Sequence, residues 1–275
     1  MTTPSPTGLN AADLGIVVIT GAAGGMGRPS ALRFAAPGRR LVLCDMHEAP
    51  LADLAAELRG KGAEVETLAG DVSAAGFPAQ VLAKLGDAPI GVLVHTAGLS
   101  PTMADGPRIL EVNLFATQRL VAALRPRFAA GGSAVLISSS SAYMIPHGMF
   151  AEQFKAWLGG DAQALVAAAT QSPQTAYPAS KAGVIALVGH ESTAFGARGA
   201  RITSIAPGFI DTAMGRAEKE VSAKMNEMIE QVPLARLGDG DEIASVVEFL
   251  CSAAASYVSG CDIKVDGGIL GRLGL

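Results

Sequence analysis

Tyr177 and Lys181 stand four residues apart in the stretch QTAYPASKAGV, Gln174 to Val184. On a helix this spacing puts a phenol and an ammonium on one face, at neighbouring Cβ positions. A free phenol titrates near about pH 10 and is a poor base at neutrality. A cation one turn away favours the phenolate. Such a pair could exchange a proton with an alcohol or a ketone while hydride moves to or from a nicotinamide. The bland reading is a surface contact without chemistry. What else the chain carries decides between the two.

A glycine cluster lies far upstream. The β-branched run GIVVIT (15–20) leads into TGAAGGMG (20–27), which places Gly21, Gly25, Met26 and Gly27 at a strand-to-helix turn. Glycine there lets the backbone approach a pyrophosphate, and a helix N-terminus favours its charge. Pro29 suits the first turn of that helix, where a missing N–H costs little. The next apolar run, RLVLCD (40–45), ends at Asp45, 18 residues beyond Gly27. That is close to the spacing of about 20 for an acid that binds an adenosine ribose. A carboxylate there repels a 2′-phosphate, so NAD is favoured over NADP. Arg28, Arg39 and Arg40 are the competing cations, and none stands in place of the acid.

These groups need a frame. Apolar runs at 15–20, 40–45, 63–71, 90–98, 132–141, 200–208 and 260–268 read as strands. Between them lie segments of helical period, among them 49–62, 109–128 and 241–252. In RPSALRFAA (28–36), after the first strand, Leu32 and Ala35 are spaced for one helix face. Strands alternating with helices predict an α/β fold: a single doubly wound (Rossmann) parallel sheet, with chemistry at the carboxyl ends of its strands. One domain over 13–275 is expected, with residues 1–12 as a flexible tail.

Bulk properties narrow the classes. Of 275 residues, 49% are hydrophobic and 17% charged, so a large core can form. The net charge of −4, without a basic run, argues against nucleic acid as a partner. Cys44, Cys251 and Cys261 have no metal-like spacing and read as buried thiols in a reducing cytoplasm. No metal site is expected. No run of about 18 apolar residues suggests a membrane span, and the N-terminus lacks the charged and apolar regions of a signal peptide.

Taken together, TGAAGGMG, HTAG (95–98), EVNLFAT (111–117), VLISSSS (135–141), YPASK (177–181), APGFIDT (206–212) and SYVSGCDIKVDGG (256–268) resemble the short-chain dehydrogenase/reductase family, in family order, over about residues 13 to 270. The resemblance implies roles. Tyr177 matches the acid/base and Lys181 the lysine that tunes it and binds the nicotinamide ribose. Ser139, with Ser138 and Ser140 as neighbours, matches the serine that holds the substrate oxygen. Asn113 matches the asparagine that positions a relay water. Asp71 and Val72 match adenine contacts, and Ala97 and Gly98 flank the adenosine ribose. Pro207, Gly208, Ile210 and Thr212 match the loop that holds the carboxamide and pyrophosphate. Plainer roles remain open: Asp71 and Thr212 as helix caps, Asn113 as a structural amide, the serines as a turn.

The chain also departs from that pattern. His95 and Thr203 stand where asparagine is common, and a histidine at a strand end is usually a satisfied core residue. Ser139 and Tyr177 are 38 positions apart, far more than the family's usual spacing. The extra segment, about 143–175, predicts a small helical hairpin, with Asp161 capping its second helix. It is similar to one in bacterial 3α-hydroxysteroid dehydrogenase/carbonyl reductases, where it covers a face that other relatives use to form tetramers. A homodimer is therefore expected, with a homotetramer as the alternative. Met149, Phe150 and Trp157 could wall a bulky substrate, or the hairpin could merely pad the fold. A polar helix within 209–233, bearing Met214, Met225 and Met228, suits a lid. The expected activity is NAD-dependent interconversion of a secondary alcohol and a ketone, on a hydrophobic or cyclic small molecule such as a hydroxysteroid or terpenoid. The alternatives are an NADPH-dependent carbonyl reductase and a catalytically silent dinucleotide-binding sensor or scaffold.

Overall fold

The computed structural model describes residues 10–275; residues 1–9, most of the expected tail, lie outside it. The strands are β1 (Ile16–Thr20), β2 (Arg40–Asp45), β3 (Glu64–Ala69), β4 (Ile90–His95), β5 (Phe128–Ile137), β6 (Arg201–Pro207) and β7 (Asp262–Val265). They pair in parallel in the order β3-β2-β1-β4-β5-β6-β7. Each strand expected from the sequence is present. The winding reverses between β1 and β4, which opens a crevice at their carboxyl ends.

The helices are α1 (Gly27–Phe34), α2 (Glu48–Gly60), α3 (Phe77–Leu85), α4 (Gly106–Leu110), α5 (Ala116–Leu124) and α6 (Ala151–Leu158). They continue with α7 (Gln163–Ala169), α8 (Pro173–Gly196), α9 (Ala213–Val221), α10 (Ala223–Ile229), α11 (Gly240–Leu250) and α12 (Ile269–Arg272). Central strands are buried on both faces, so alternate residues serve two cores. Ile16, Val18, Leu93 and Leu136 pack with α3, α5 and α8. Val17, Ile19, Val94 and Val135 pack with α1, α2 and α11. Each fully buried Val or Leu side chain contributes about 1.5–3 kcal/mol. In α1 the buried face is Ser30, Ala31 and Phe34, and Leu32 and Ala35 lie at its margin. The apolar spacing had pointed to the wrong pair, because Ser30 is buried by bonding back to the Met26 carbonyl at 2.7 Å.

Where one long helix was expected over 109–128, α4 and α5 are joined by a π turn, Glu111–Phe115. Such turns often mark functional sites, and Asn113 is at its centre. The insertion forms the expected hairpin, α6 and α7, broken at Gly159–Gly160. Asp161 accepts from the Gln163 N–H at 3.0 Å, at the entry to α7. The hairpin packs on α4 and α8. Phe150 and Trp157 are buried in that contact, Trp157 donating to Gln118 Oε1 at 2.9 Å, and Met149 faces solvent. These side chains anchor the hairpin and do not wall the main cavity. The lid region is two helices rather than one, because Ser222 ends α9 and caps α10 through the Met225 N–H.

Residues at the end of the expected tail belong to the body. Ala11 and Ala12 are buried in a short turn, and the Ala11 N–H bonds the Cys251 carbonyl at 2.9 Å. Cys44 and Cys251 are buried thiols, both pushed up to about 12 by burial. Cys261 is only half-buried, since it leads into the edge strand. Among the described residues no helix is long and apolar enough to cross a membrane.

Candidate active site

The carboxyl ends of β1, β4, β5 and β6 surround a cavity of about 600 Å³. At its cofactor end the chain leaves β1 through Gly21, whose φ of +65° is the left-handed region glycine tolerates. A Cβ on Gly27 would lie 2.0 Å from the Gly21 carbonyl oxygen, and one on Gly25 would lie 2.5 Å from Thr212 Cγ2. The loop is thus pressed between its own turn and the segment after β6. A backbone cradle without Cβ atoms fits the close approach of a dinucleotide pyrophosphate. Met26 lines the cavity beside it.

Asp45 ends β2 nearly buried. Its Oδ2 accepts from the Ala23 N–H and its Oδ1 from the His47 N–H, both at 3.0 Å. The acid is therefore fastened to the glycine loop. Asp71 follows β3 and closes a turn through the Ser73 N–H and hydroxyl at 2.9 and 2.7 Å. Its other oxygen accepts from Arg108 at 2.6 Å. Burial raises its carboxyl, but the bonds from Ser73 and Arg108 outweigh that and hold it below the usual carboxylate range. Val72 is buried beneath. Arg108 was not anticipated; it comes from α4, 37 residues away.

At the catalytic end, α8 presents Tyr177 and Lys181 side by side. Lys181 is buried and donates to the Ile137 carbonyl at 3.0 Å, and its Nζ sits 5.8 Å from the Tyr177 ring centre. The small residues around the pair permit close packing. A Cβ on Gly183 would lie 2.5 Å from Leu114 Cδ2 in the π turn. Ser180 donates to the Tyr177 carbonyl at 2.7 Å and accepts from Asn113 Nδ2 at 3.2 Å. Gly98, which follows Ala97 after β4, fills the gap between both groups: a Cβ there would lie 3.2 Å from Asn113 Oδ1 and 3.5 Å from Lys181 Nζ.

The three serines separate cleanly. Ser138 is buried, its hydroxyl within 2.8 Å of the Ile205 carbonyl and 2.6 Å of Asp262 Oδ1, which share its one proton. Ser140 is buried in the following turn. All three line the cavity, but only Ser139 is part-exposed there, and its hydroxyl lies near enough to Tyr177 to oppose the upward shift of the phenol.

The electrostatics differ from the expectation of a phenol made acidic by its lysine. Burial pushes Tyr177 up to about 12, helped by the charge of Glu218 and opposed by the Ser139 hydroxyl. Burial likewise pulls Lys181 down to about 8. Desolvation disfavours both charged forms.

Asn113 is held on two sides. It accepts from the Leu99 N–H at 2.8 Å and donates to the Leu99 carbonyl at 2.9 Å. Behind it sits His95, fully enclosed and pulled down to about 3 by burial. Its ring nitrogens contact Thr20 Oγ1 at 2.6 Å and Thr117 Oγ1 at 2.8 Å. Thr117 donates to the Asn113 carbonyl at 2.9 Å. That spends the Thr117 proton, so His95 Nε2–H must be the donor to Thr117, and Thr20 the donor to Nδ1. A directed chain runs from β1 through His95 to the backbone of Asn113.

Pro207, Gly208, Ile210 and Thr212 line the cavity after β6. Gly208 packs against Asp266, and Thr212 caps α9 through the Gly215 N–H at 3.0 Å. Beyond them Met214, Met225 and Met228 form the lid wall, with Met144 and Ile145 opposite. Glu218, on the same lid, was missed, as was Tyr143, which ties the turn after Ser139 to Asp262 at 2.8 Å.

Two family models match the chain, short chain dehydrogenase over residues 15–151 and enoyl-(acyl carrier protein) reductase over 162–270. A short-chain dehydrogenase/reductase of Alternaria brassicicola is 33% identical, covering 94% of this chain and 96% of the relative. An L-rhamnose 1-dehydrogenase (NAD(P)+) of Azotobacter vinelandii is 30% identical over 94% and 97%. The crystal structure of the 3-alpha-hydroxysteroid dehydrogenase from Pseudomonas sp. B-0831 complexed with NADH superposes with a TM-score of 0.76, at 25% identity over 94% and 98% of the two chains. Sequence, fold and site agree that this enzyme belongs to the short-chain dehydrogenase/reductase family.

Proposed function

We propose that the enzyme is an NAD(H)-dependent oxidoreductase interconverting a secondary alcohol and a ketone on a bulky, largely apolar or cyclic molecule. The observation that carries the reading is the convergence of Ser139, Tyr177 and Lys181 on one cavity that also reaches the glycine loop. In the reductive direction Tyr177 gives its proton to the carbonyl oxygen, which Ser139 Oγ steadies. The phenol is protonated at neutral pH, as that transfer requires. The reverse needs the phenolate. Oxidised nicotinamide would supply both the hydride acceptor and a positive charge that favours the phenolate. Lys181 and the carboxamide loop from Pro207 to Thr212 would hold that group, and Gly21, Gly25, Met26, Gly27, Asp71, Val72, Ala97 and Gly98 the rest of the dinucleotide.

NAD is preferred because Asp45 is nearly buried against the glycine loop and the nearby cations are engaged. Arg28 pairs with Glu57, Arg39 with Asp13, and Arg40 lies 4.0 Å from Glu64. Each of the three already faces a carboxylate. Support for an apolar substrate comes from Leu99, Pro101, Met144, Ile145, Phe209 and Met225 around the cavity. The hairpin on α4 and α8 supports a homodimer over a homotetramer, and the buried thiols suit the cytoplasm. Light scattering of the purified protein tests the assembly.

The test of activity is a panel of steroid, terpene and aliphatic secondary alcohols, with NAD and with NADP, followed at the nicotinamide absorbance. Turnover with NAD exceeding that with NADP is expected. The opposite order would establish the NADPH-dependent carbonyl reductase instead. No turnover by folded protein would leave only the silent sensor.

A further inference from the structure

The proposed mechanism uses no carboxyl group, yet the substrate end of the cavity contains one. Glu218 sits on α9, among the methionines of the lid. Its Oε1 is shut off from solvent and has no hydrogen-bond partner among the described residues. Ser100, itself buried and linked to Thr102 at 2.9 Å, lies near enough to oppose the upward shift that burial gives the carboxyl. Leu99, Met214, Val221 and Met225 belong to the same lining, along with the polar Thr102 and Ser222.

An unpaired buried carboxyl oxygen in such a wall is costly unless something arrives to bond it. A solvent-facing position was open to the sequence. α9 also carries Lys219 and Glu220, both exposed. Of the charged side chains on α9, only Glu218 lines the cavity. Tyr177 lines the same space, and the Glu218 charge is felt at its phenol.

Resting on the oxidoreductase reading above, we infer that Glu218 is a specificity-determining residue whose cavity-lining carboxyl bonds a second hydroxyl of the substrate. The substrate is then an apolar ring compound bearing at least two oxygen functions. One reacts at Ser139 and Tyr177, and the other docks on the lid. A hydroxyl satisfies the carboxyl in either protonation state, since it can donate or accept. An ammonium suits only the ionised form. Sites built to bond a polar group discriminate strongly against analogues lacking it, because the site's own group is left unpaired.

The test compares kcat/KM for cyclohexanol with that for the 1,2-, 1,3- and 1,4-cyclohexanediols and for trans-4-aminocyclohexanol. It uses wild type, Glu218→Gln and Glu218→Leu, with the preferred nicotinamide cofactor in excess. Wild type should favour at least one diol over cyclohexanol by roughly tenfold or more. Glu218→Leu should bring that ratio close to one. Glu218→Gln, whose amide oxygen still accepts, should retain part of it and guards against a misfolded Leu variant. The same ratio in all three proteins overturns the inference and leaves the proposed activity standing. A preference for the amino alcohol over every diol also overturns it, in favour of a cation site. No turnover of any alcohol would sink the activity itself and this inference with it.

Discussion

Two parts of the site treat their buried polar atoms in opposite ways. Around Asn113, at the ends of β1 and β4, the amide bonds Leu99 and Ser180, and both nitrogens of His95 meet threonine hydroxyls. On the lid, Glu218 leaves Oε1 without a partner. The first region is a scaffold that fixes geometry before any ligand arrives. The second is incomplete by itself. Complete satisfaction marks groups that position others, and a single gap in a cavity wall marks a group meant for a ligand.

The largest effect should come at the reacting group itself. Tyr177→Phe removes the proton carrier and keeps the ring, so kcat should fall by about 10²–10⁴-fold while cofactor binding persists. Turnover and nicotinamide fluorescence titration measure the two separately. A fall in cofactor affinity with kcat preserved would break the assignment.

Next comes the scaffold. His95→Leu removes the acceptor of the Thr20 hydroxyl, at about 1–3 kcal/mol for a buried group left unpaired, and the donor to Thr117, which keeps its bond to the Asn113 carbonyl. Loss of stability in urea and a reduced kcat should appear together, because Thr117 also holds the Asn113 carbonyl. His95→Asn, an amide with a donor and an acceptor, should recover part of both. The pair also differs in pH dependence. The His95 ring is held at about 3 in the folded chain against 6.5 when free. The unfolded chain therefore binds a proton first as the medium acidifies. The contribution of His95 is fully present above pH 6.5 and is lost as pH falls toward 3, at about 1.4 kcal/mol per unit. Wild type should lose stability more steeply than His95→Asn across that window. Parallel slopes would show that the ring does not stay neutral on folding.

On the lid the expected change is smaller. Glu218→Gln removes a negative charge that raises the Tyr177 phenol. The midpoint at which alcohol oxidation gains its phenolate should move to lower pH. A pH profile of kcat/KM with an unchanged midpoint would mean the carboxyl and the phenol do not sense each other.

What was legible in the sequence follows the same division. The strands, the glycine loop, Asp45 and the Tyr177–Lys181 pair rest on short spacings and local periodicity, which the chain carries in plain order. The resemblance singled out Ser139, although local pattern alone does not separate it from Ser138 and Ser140. The choice depends on where β5 ends, and Ser138 continues toward Asp262, 124 residues later. Spacing in the insertion revealed an apolar face without saying what it meets, so Trp157 could be mistaken for a cavity wall although it bonds Gln118. Pairings such as Asp71 with Arg108 depend on tertiary placement, which no local pattern encodes. The upward push on the Tyr177 phenol was hidden for the same reason: proximity to Lys181 shows in the sequence, and burial does not.

The smallest effect tests the scaffold's one exception. Thr203 is fully buried in β6, and its hydroxyl has no partner among the described residues. Thr203→Val keeps the β-branched shape that suits a strand and removes the orphan group. Unpaired buried hydroxyls cost about 1–3 kcal/mol in mutational comparisons. A gain near the lower end, about 1 kcal/mol, should show as a higher urea midpoint with an unchanged slope. Activity should stay level, since Thr203 lines no part of the cavity. A loss of stability would mean that the hydroxyl is bonded after all, by an enclosed water, and that the rule of full satisfaction extends through β6 as well.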